Sequence, residues 1–118
     1  MNKGTIAYLD DNPKWHEIFA DYIEKELGYS VIRFFNGNSL VKEMDEGLRF
    51  GLAIVDLKIS SHGVDGKDII REIRQRDKNV PIISTSAWYA MPEGATEHFS
   101  KGTPYPKLKS LIKKLYPK

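Results

Sequence analysis

A single α/β domain, a parallel sheet covered by helices on both faces, is the fold class this sequence predicts. Three observations carry it. Segments rich in β-branched and aromatic residues alternate along the chain with segments whose apolar residues recur every three or four positions. Residues 52–57 are apolar apart from Asp56, the pattern of a strand buried on both faces rather than on one. The 118 residues are the length of one domain, and no linker, internal repeat or low-complexity stretch divides them.

The elements follow in order. Thr5–Leu9 is a short apolar strand that Asp10-Asp11-Asn12-Pro13 stops. Asn12 or Asp11 can cap the next helix, and Pro13 suits its first turn. Trp15, Ile18, Phe19, Tyr22, Ile23 and Leu27 mark one face of that helix, and Gly28 is its stop. Tyr29–Phe35 reads as the second strand, and Asn36-Gly37-Asn38 as a turn into a short helix, Ser39–Glu46. Leu52–Leu57 is the third strand. Beyond a loop containing Gly63 and Gly66, Ile69, Ile70 and Ile73 mark a third helix. Val80–Thr85 is the fourth strand, its edge set by Pro81, and Glu97–Ser100 the fifth. Leu108, Leu111, Ile112 and Leu115 pattern a terminal helix.

Composition narrows the function. With 41% apolar and 29% charged residues the chain is neither disordered nor a coiled coil. It has no cysteine, which excludes disulfides, thiolate metal sites and a cysteine nucleophile. The longest apolar runs reach about five residues against the roughly twenty that span a bilayer, and the N-terminus is not a signal peptide. A cytoplasmic domain without membrane contact is therefore expected. The net charge of +2 is too small to imply nucleic-acid binding, and no glycine-rich phosphate loop of the dinucleotide or P-loop type occurs. That small net charge hides an uneven split. Residues 101–118 hold six lysines and no acid, which leaves residues 1–100 with a balance of −4.

Ligands of an open parallel sheet bind outside the carboxyl ends of its strands. Here those ends present Asp10, Asp11, Asp56, Ser86 and Lys101, from four different strands. Three carboxylates in one crevice repel one another unless a cation neutralises them, and Mg²⁺, a hard ion that takes oxygen ligands and keeps some waters, suits the set. His16, His62 and His98 share no metal-ligand spacing and read as surface or satisfied polar residues.

Taken together, Leu9-Asp10-Asp11-Asn12, Ile54-Val55-Asp56-Leu57, Pro81-Ile82-Ile83 leading to Ser86-Ala87, and Phe99-Ser100-Lys101 resemble the receiver domain of two-component response regulators. The likeness covers essentially the whole chain, residues 1–118. It implies a doubly wound, flavodoxin-like sheet of five parallel strands in the order 2-1-3-4-5. It also implies that Asp56 is the phosphoacceptor, that Asp10 and Asp11 bind Mg²⁺ with Asp56 and the backbone carbonyl of Lys58, and that Ser86 and Lys101 hold phosphoryl oxygens. Thr85 is the alternative to Ser86 if the strand slips by one residue. Phe99 falls at the family's switch aromatic, with an ordinary core phenylalanine as the alternative. Trp88 falls where family members tune dephosphorylation, and its indole would shield the acyl-phosphate. The chain would be a phosphoacceptor that assists its own phosphorylation and dephosphorylation, not an enzyme.

Three departures from the family limit that transfer. The family's proline after the phosphoacceptor is absent, and if Gly66 matches the family's glycine, the loop Ser60–Gly66 is about two residues longer than usual. The family's Lys-Pro pair is Lys101-Gly102 here, for which a trans bond is expected. Only residues 87–100 separate Ser86 from Lys101, interrupted by Pro92 and Gly94, so the fourth helix is expected to be shortened or missing.

The leading reading is a receiver that takes phosphate from a histidine kinase or a histidine phosphotransfer protein and switches partner binding. With no effector domain in these residues, the output would be a relay or a protein contact, or the chain is a piece of a larger regulator. A receiver-like interaction module that is never phosphorylated is one alternative. An aspartyl-phosphate phosphohydrolase is another, although the second acid such enzymes carry two residues after the nucleophile is Lys58 here. The lysines of the terminal helix are either a solvated face or a docking surface for an acidic protein.

Overall fold

The computed structural model describes residues 4–58, 65–87 and 91–117. Five parallel strands, β1 (Thr5–Leu9), β2 (Ser30–Phe34), β3 (Leu52–Asp56), β4 (Ile82–Ser86) and β5 (Glu97–Ser100), form one sheet in the order β2-β1-β3-β4-β5. The central strand β3 is buried along its whole length, as its unbroken apolar run requires.

Period-two alternation sends the sheet's side chains to two separate cores. On one face Ile6, Tyr8, Leu52, Ile54 and Ile83 pack against the first and last helices through Phe19, Ile23, Leu108 and Ile112. On the other, Ala7, Leu9, Ala53, Val55 and Ile82 pack against the middle helices through Leu40, Ile69, Ile70 and Ile73. Each of the fully buried leucine, isoleucine and valine side chains among them contributes about 1.5–3 kcal/mol of transfer free energy.

The helices differ from their sequence readings in detail. The first, α1 (residues 13–27), opens with an α-helical turn at Pro13–Trp15 and is wound as a π-helix over His16–Ala20 and Ile23–Leu27. Spacing by threes and fours reports which face is apolar. It does not report whether the turn closes on the fourth or fifth residue. Asn12 caps it by accepting from the Lys14 amide at 2.9 Å, and Gly28 ends it at φ +78°, a left-handed conformation that disfavours a side chain. Helix α2 (Gly37–Asp45) starts two residues earlier than the apolar pattern suggests, because Asn36 accepts from the Ser39 amide and makes the expected turn a helix cap. Helices α3 (Gly66–Arg76) and α4 (Tyr105–Leu115) stand where the pattern placed them. Strand β4 begins after Pro81, which has no N–H for the ladder, and runs on to include Ser86.

Among the described residues no helix joins β4 to β5. Arg74 of α3 holds this connection instead. Its Nε donates to the Gly94 carbonyl at 3.0 Å and its Nη1 to the Val80 carbonyl at 2.6 Å. Arg74→Ala is expected to cost about 2 kcal/mol, the scale for hydrogen bonds to a charged group. Hydrogen exchange checks it: amides of residues 94–96 should exchange faster in the variant, and unchanged rates would mean another contact fixes the connection.

Candidate functional site

The carboxyl ends of β1, β3, β4 and β5 open into a cleft of about 760 Å³ lined by Asp10, Asp11, Trp15, Asp56, Lys58, Ser86 and Lys101, among others. Asp10 follows β1 directly and is fully buried. One of its carboxylate oxygens, Oδ1, accepts from the Asn12 amide at 2.9 Å, and its backbone carbonyl accepts from His16 Nε2 at 2.7 Å. His16, expected to be a surface or satisfied polar residue, is buried and edge-on to Tyr8, and only Nε2 is satisfied: among the described residues Nδ1 has no hydrogen-bond partner. Asp56 closes β3 and is 3% exposed. A carboxylate oxygen from each of Asp10, Asp11 and Asp56 lies within 4.8 Å of the others.

Lys101 crosses the cleft from the end of β5. Its Nζ lies 2.8 Å from Asp10 Oδ2 and 3.2 Å from Asp56 Oδ1, and 5.0 Å from the centre of the Trp15 ring, whose face attracts a cation. The strands place it there, since the Lys101 amide donates to the Ser86 carbonyl at 2.8 Å. No peptide bond among the described residues is cis, so Lys101-Gly102 is trans.

Burial is the main cause of the site's electrostatics. It pushes the Asp56 carboxyl up to about 6, Asp10 adds repulsion, and Lys101 and the backbone amide of Lys58 pull the other way. Burial, followed by the charges of Asp10 and Asp56, also drives the Tyr8 hydroxyl far above the usual tyrosine range. Three carboxylates against one ammonium leave a formal −2 on hard oxygen donors, matching one divalent cation of the Mg²⁺ kind.

Gly66 brings α3 against this site. A Cβ there would stand 2.2 Å from the Asp56 carbonyl oxygen and 2.6 Å from Leu57 Cα, so only glycine lets the helix start so close to the strand end.

Chain topology and site can now be set beside known proteins. The family model of the response regulator receiver domain matches residues 6–113. The chain belongs to that family. Two curated relatives from Bacillus subtilis, the uncharacterized transcriptional regulatory protein YkoG and the transcriptional regulatory protein CssR, are 30% and 31% identical over 81% and 70% of this chain. The matched parts are 40% and 35% of those relatives, so this receiver spans well under half of their length. The response regulator TrrA of Thermotoga maritima, solved in complex with Mg²⁺-BeF, superposes with a TM-score of 0.83 at 27% identity, covering 98% of this chain and 99% of that one. TrrA was also solved in complex with the histidine kinase ThkA (TM-score 0.83, 26% identity, 98% and 99% covered). A receiver domain of a Pseudomonas aeruginosa sensor histidine kinase shares the fold at TM-score 0.80 and 22% identity, over 95% of this chain and 96% of that one. This chain is a receiver domain of two-component signalling, a class of phosphoacceptors generally not counted as enzymes. None of its helices, among the described residues, is long and apolar enough to cross a membrane.

The receiver's strands bring Asp10, Asp11, Asp56, Ser86 and Lys101 into one cleft, and Ser86 rather than Thr85 lines it. Phe99 does not join them. It pairs with Thr85 across the ladder, and its ring turns to the opposite face, 5.5 Å edge-on from Phe19 in the core. The side chain that meets Ser86 is His98, with Nε2 3.1 Å from Ser86 Oγ. Alternation explains the difference: Ser86 pairs with Ser100, so the β5 side chains on Ser86's face are Ser100 and, two residues back, His98, while Phe99 points to the other face. Strand parity, applied to β4 and β5 together, is the sequence signal that would have found it. Trp88, His62 and residues 60–64 of the loop expected to be about two residues longer than usual lie outside the described residues.

Proposed function

We propose that this receiver takes a phosphoryl group onto Asp56, in a Mg²⁺-dependent reaction, from a phosphohistidine of a histidine kinase or phosphotransfer protein in the cytoplasm. The observation that carries the proposal is the convergence, from three strand ends, of Asp10, Asp11 and Asp56, with carboxylate oxygens within 4.8 Å of one another, and of Lys101, ion-paired to Asp10 and Asp56. Asp56, charged above pH 6, is the nucleophile: its oxygen bonds to phosphorus as the phosphorus–nitrogen bond to imidazole breaks, and the electron pair leaves with the nitrogen. Asp10, Asp11, Asp56 and the Lys58 carbonyl would hold Mg²⁺, which when bound neutralises charge on the phosphoryl oxygens. Lys101 shifts from its carboxylate partners to one phosphoryl oxygen, and Ser86 donates to another. The same groups would assist loss of the phosphoryl group to water. The 118 residues act as one receiver domain, with exposed Lys107, Lys109 and Lys113 on α4 offering a surface to an acidic protein; Lys114 is held by Glu97 at 2.7 Å.

Acetyl phosphate with Mg²⁺ tests this directly. Intact mass should show one added phosphoryl group, and Asp56→Asn or a chelator should abolish it. A wild-type chain that gains no mass under these conditions is instead an interaction module that is not phosphorylated.

A further inference from the structure

His16 is 2% exposed and reaches back to the end of β1 from the point where α1 passes from α to π winding. Such π turns recur at functional sites. Two aromatic side chains hold its ring: Phe35 stacks on it at 4.0 Å between ring centres, and Tyr8 meets it edge-on at 5.0 Å.

The chemistry of the partner fixes one bond of this ring. Nε2 lies 2.7 Å from the Asp10 backbone carbonyl oxygen, which can only accept, so Nε2 carries a proton and donates it. That holds whatever the state of Nδ1, which is buried and has no hydrogen-bond partner among the described residues. An unpartnered buried nitrogen costs stability, so packing alone would favour phenylalanine at this position. What histidine adds is its hold on Asp10.

This hold fixes the peptide between Asp10 and Asp11. The Asp10 amide donates to the Phe34 carbonyl at 3.1 Å and the Asp10 carbonyl accepts from His16, so the backbone is pinned on both sides. The two carboxylates differ in what else directs them. That of Asp10 is held by the Asn12 amide and by Lys101. That of Asp11 has no hydrogen bond or ion pair among the described residues, yet one of its oxygens lies within 4.8 Å of those of Asp10 and Asp56. Its direction comes from the backbone that carries it.

We propose that His16 is a positioning residue for the cation site: by donating Nε2–H to the Asp10 carbonyl it fixes the Asp10–Asp11 peptide, and with it the direction in which Asp11 offers its carboxylate to a divalent cation. Metal ligands are oriented by hydrogen bonds of this supporting kind, and losing one weakens metal binding by about 10–100-fold. The inference rests on the reading of Asp10, Asp11 and Asp56 as a Mg²⁺ site.

A Mg²⁺ titration of the full chain at pH 7.5, followed by backbone amide shifts with no phosphodonor, tests it. His16→Phe keeps a ring between Tyr8 and Phe35 and removes the donor, and it should weaken Mg²⁺ binding by about tenfold. His16→Gln, whose side-chain amide restores an N–H donor, should recover most of that loss. A folded His16→Phe chain that binds Mg²⁺ as the wild type does overturns the proposal. So does a His16→Gln chain as weak as His16→Phe, because the donor would then not matter. In an Asp11→Asn background, titrated to higher Mg²⁺, the His16→Phe loss should fall below about twofold; an undiminished loss would mean that His16 does not act through Asp11. If His16→Phe does not fold, the ¹⁵N-histidine spectrum of the wild type in chelator still decides. There His16 Nε2, assigned by the loss of its signal in His16→Gln, must carry a proton, and a bare Nε2 overturns the proposal. A wild type that binds no Mg²⁺ is a different failure, that of the cation site itself.

Discussion

Lys101→Met should lower the stability of the metal-free receiver by about 3–5 kcal/mol at pH 8, the cost of breaking a buried ion pair from one side. Lys101 is 10% exposed at its side chain and is the ammonium partner of two carboxylates that are almost wholly out of water. Methionine keeps most of the apolar stem and removes the charge, which stands 5.0 Å from the centre of the Trp15 ring. Asp10 and Asp56 are then left facing each other. A proton taken up by one of them caps the cost, so the loss should shrink toward pH 5. Urea unfolding in chelator across that pH range reads both effects. Mg²⁺ should restore much of the lost stability by neutralising the same carboxylates, whereas phosphorylation should stay defective because a phosphoryl oxygen has lost its ammonium. A loss below about 1 kcal/mol at pH 8 in chelator would mean that the carboxylates do not depend on Lys101.

Sequence reasoning reached the sheet and the acid cluster because both rest on local, periodic signals. The apolar run before Asp56 identifies a central strand by itself, and the Asp10-Asp11-Asn12-Pro13 stop marks a strand end and a helix cap together. The gap between Ser86 and Lys101 was too short for a full helix whatever its residues, and none stands among the described ones. What escaped depended on relations between strands. Whether His98 or Phe99 faces Ser86 is decided by the β4–β5 register, in which one residue's difference moves a side chain from one core to the other. His98 looked unremarkable in sequence because a hydrogen-bonding partner on another strand leaves no spacing signal. Arg74 is similar: its carbonyl partners at Gly94 and Val80 become neighbours only once the shortened connection folds back over α3. The π-winding of α1 was out of reach for a different reason, since the apolar face looks the same for either closure.

Asp56→Asn should make the metal-free receiver more stable than wild type by about 3 kcal/mol above pH 7, and by nothing below pH 4. The Asp56 carboxyl titrates near 6 in the folded chain against 3.8 unfolded, a difference that converts to about 3 kcal/mol. Because the folded pKa is the higher one, the folded chain binds the proton more tightly. The contribution is fully present below pH 4, falls away between pH 4 and pH 6, and is gone above that window. Asp21 and Asp45 run the opposite way: Arg33 and Arg76 hold their carboxyls below the usual range, so their contribution is lost as pH falls. Subtracting the variant's urea midpoints from the wild type's, from pH 4 to pH 8, removes those shared terms and isolates Asp56. A gap independent of pH would mean that packing, not charge, separates the two proteins. Saturating Mg²⁺ should narrow the gap above pH 7, since it binds the ionised wild-type site more tightly than one with an amide at position 56. The repulsion between these carboxylates without metal is thus the same free energy that favours the cation. If Asp56 is the nucleophile proposed above, a bound cation would hold it ionised below pH 6 as well, where the metal-free site takes up a proton.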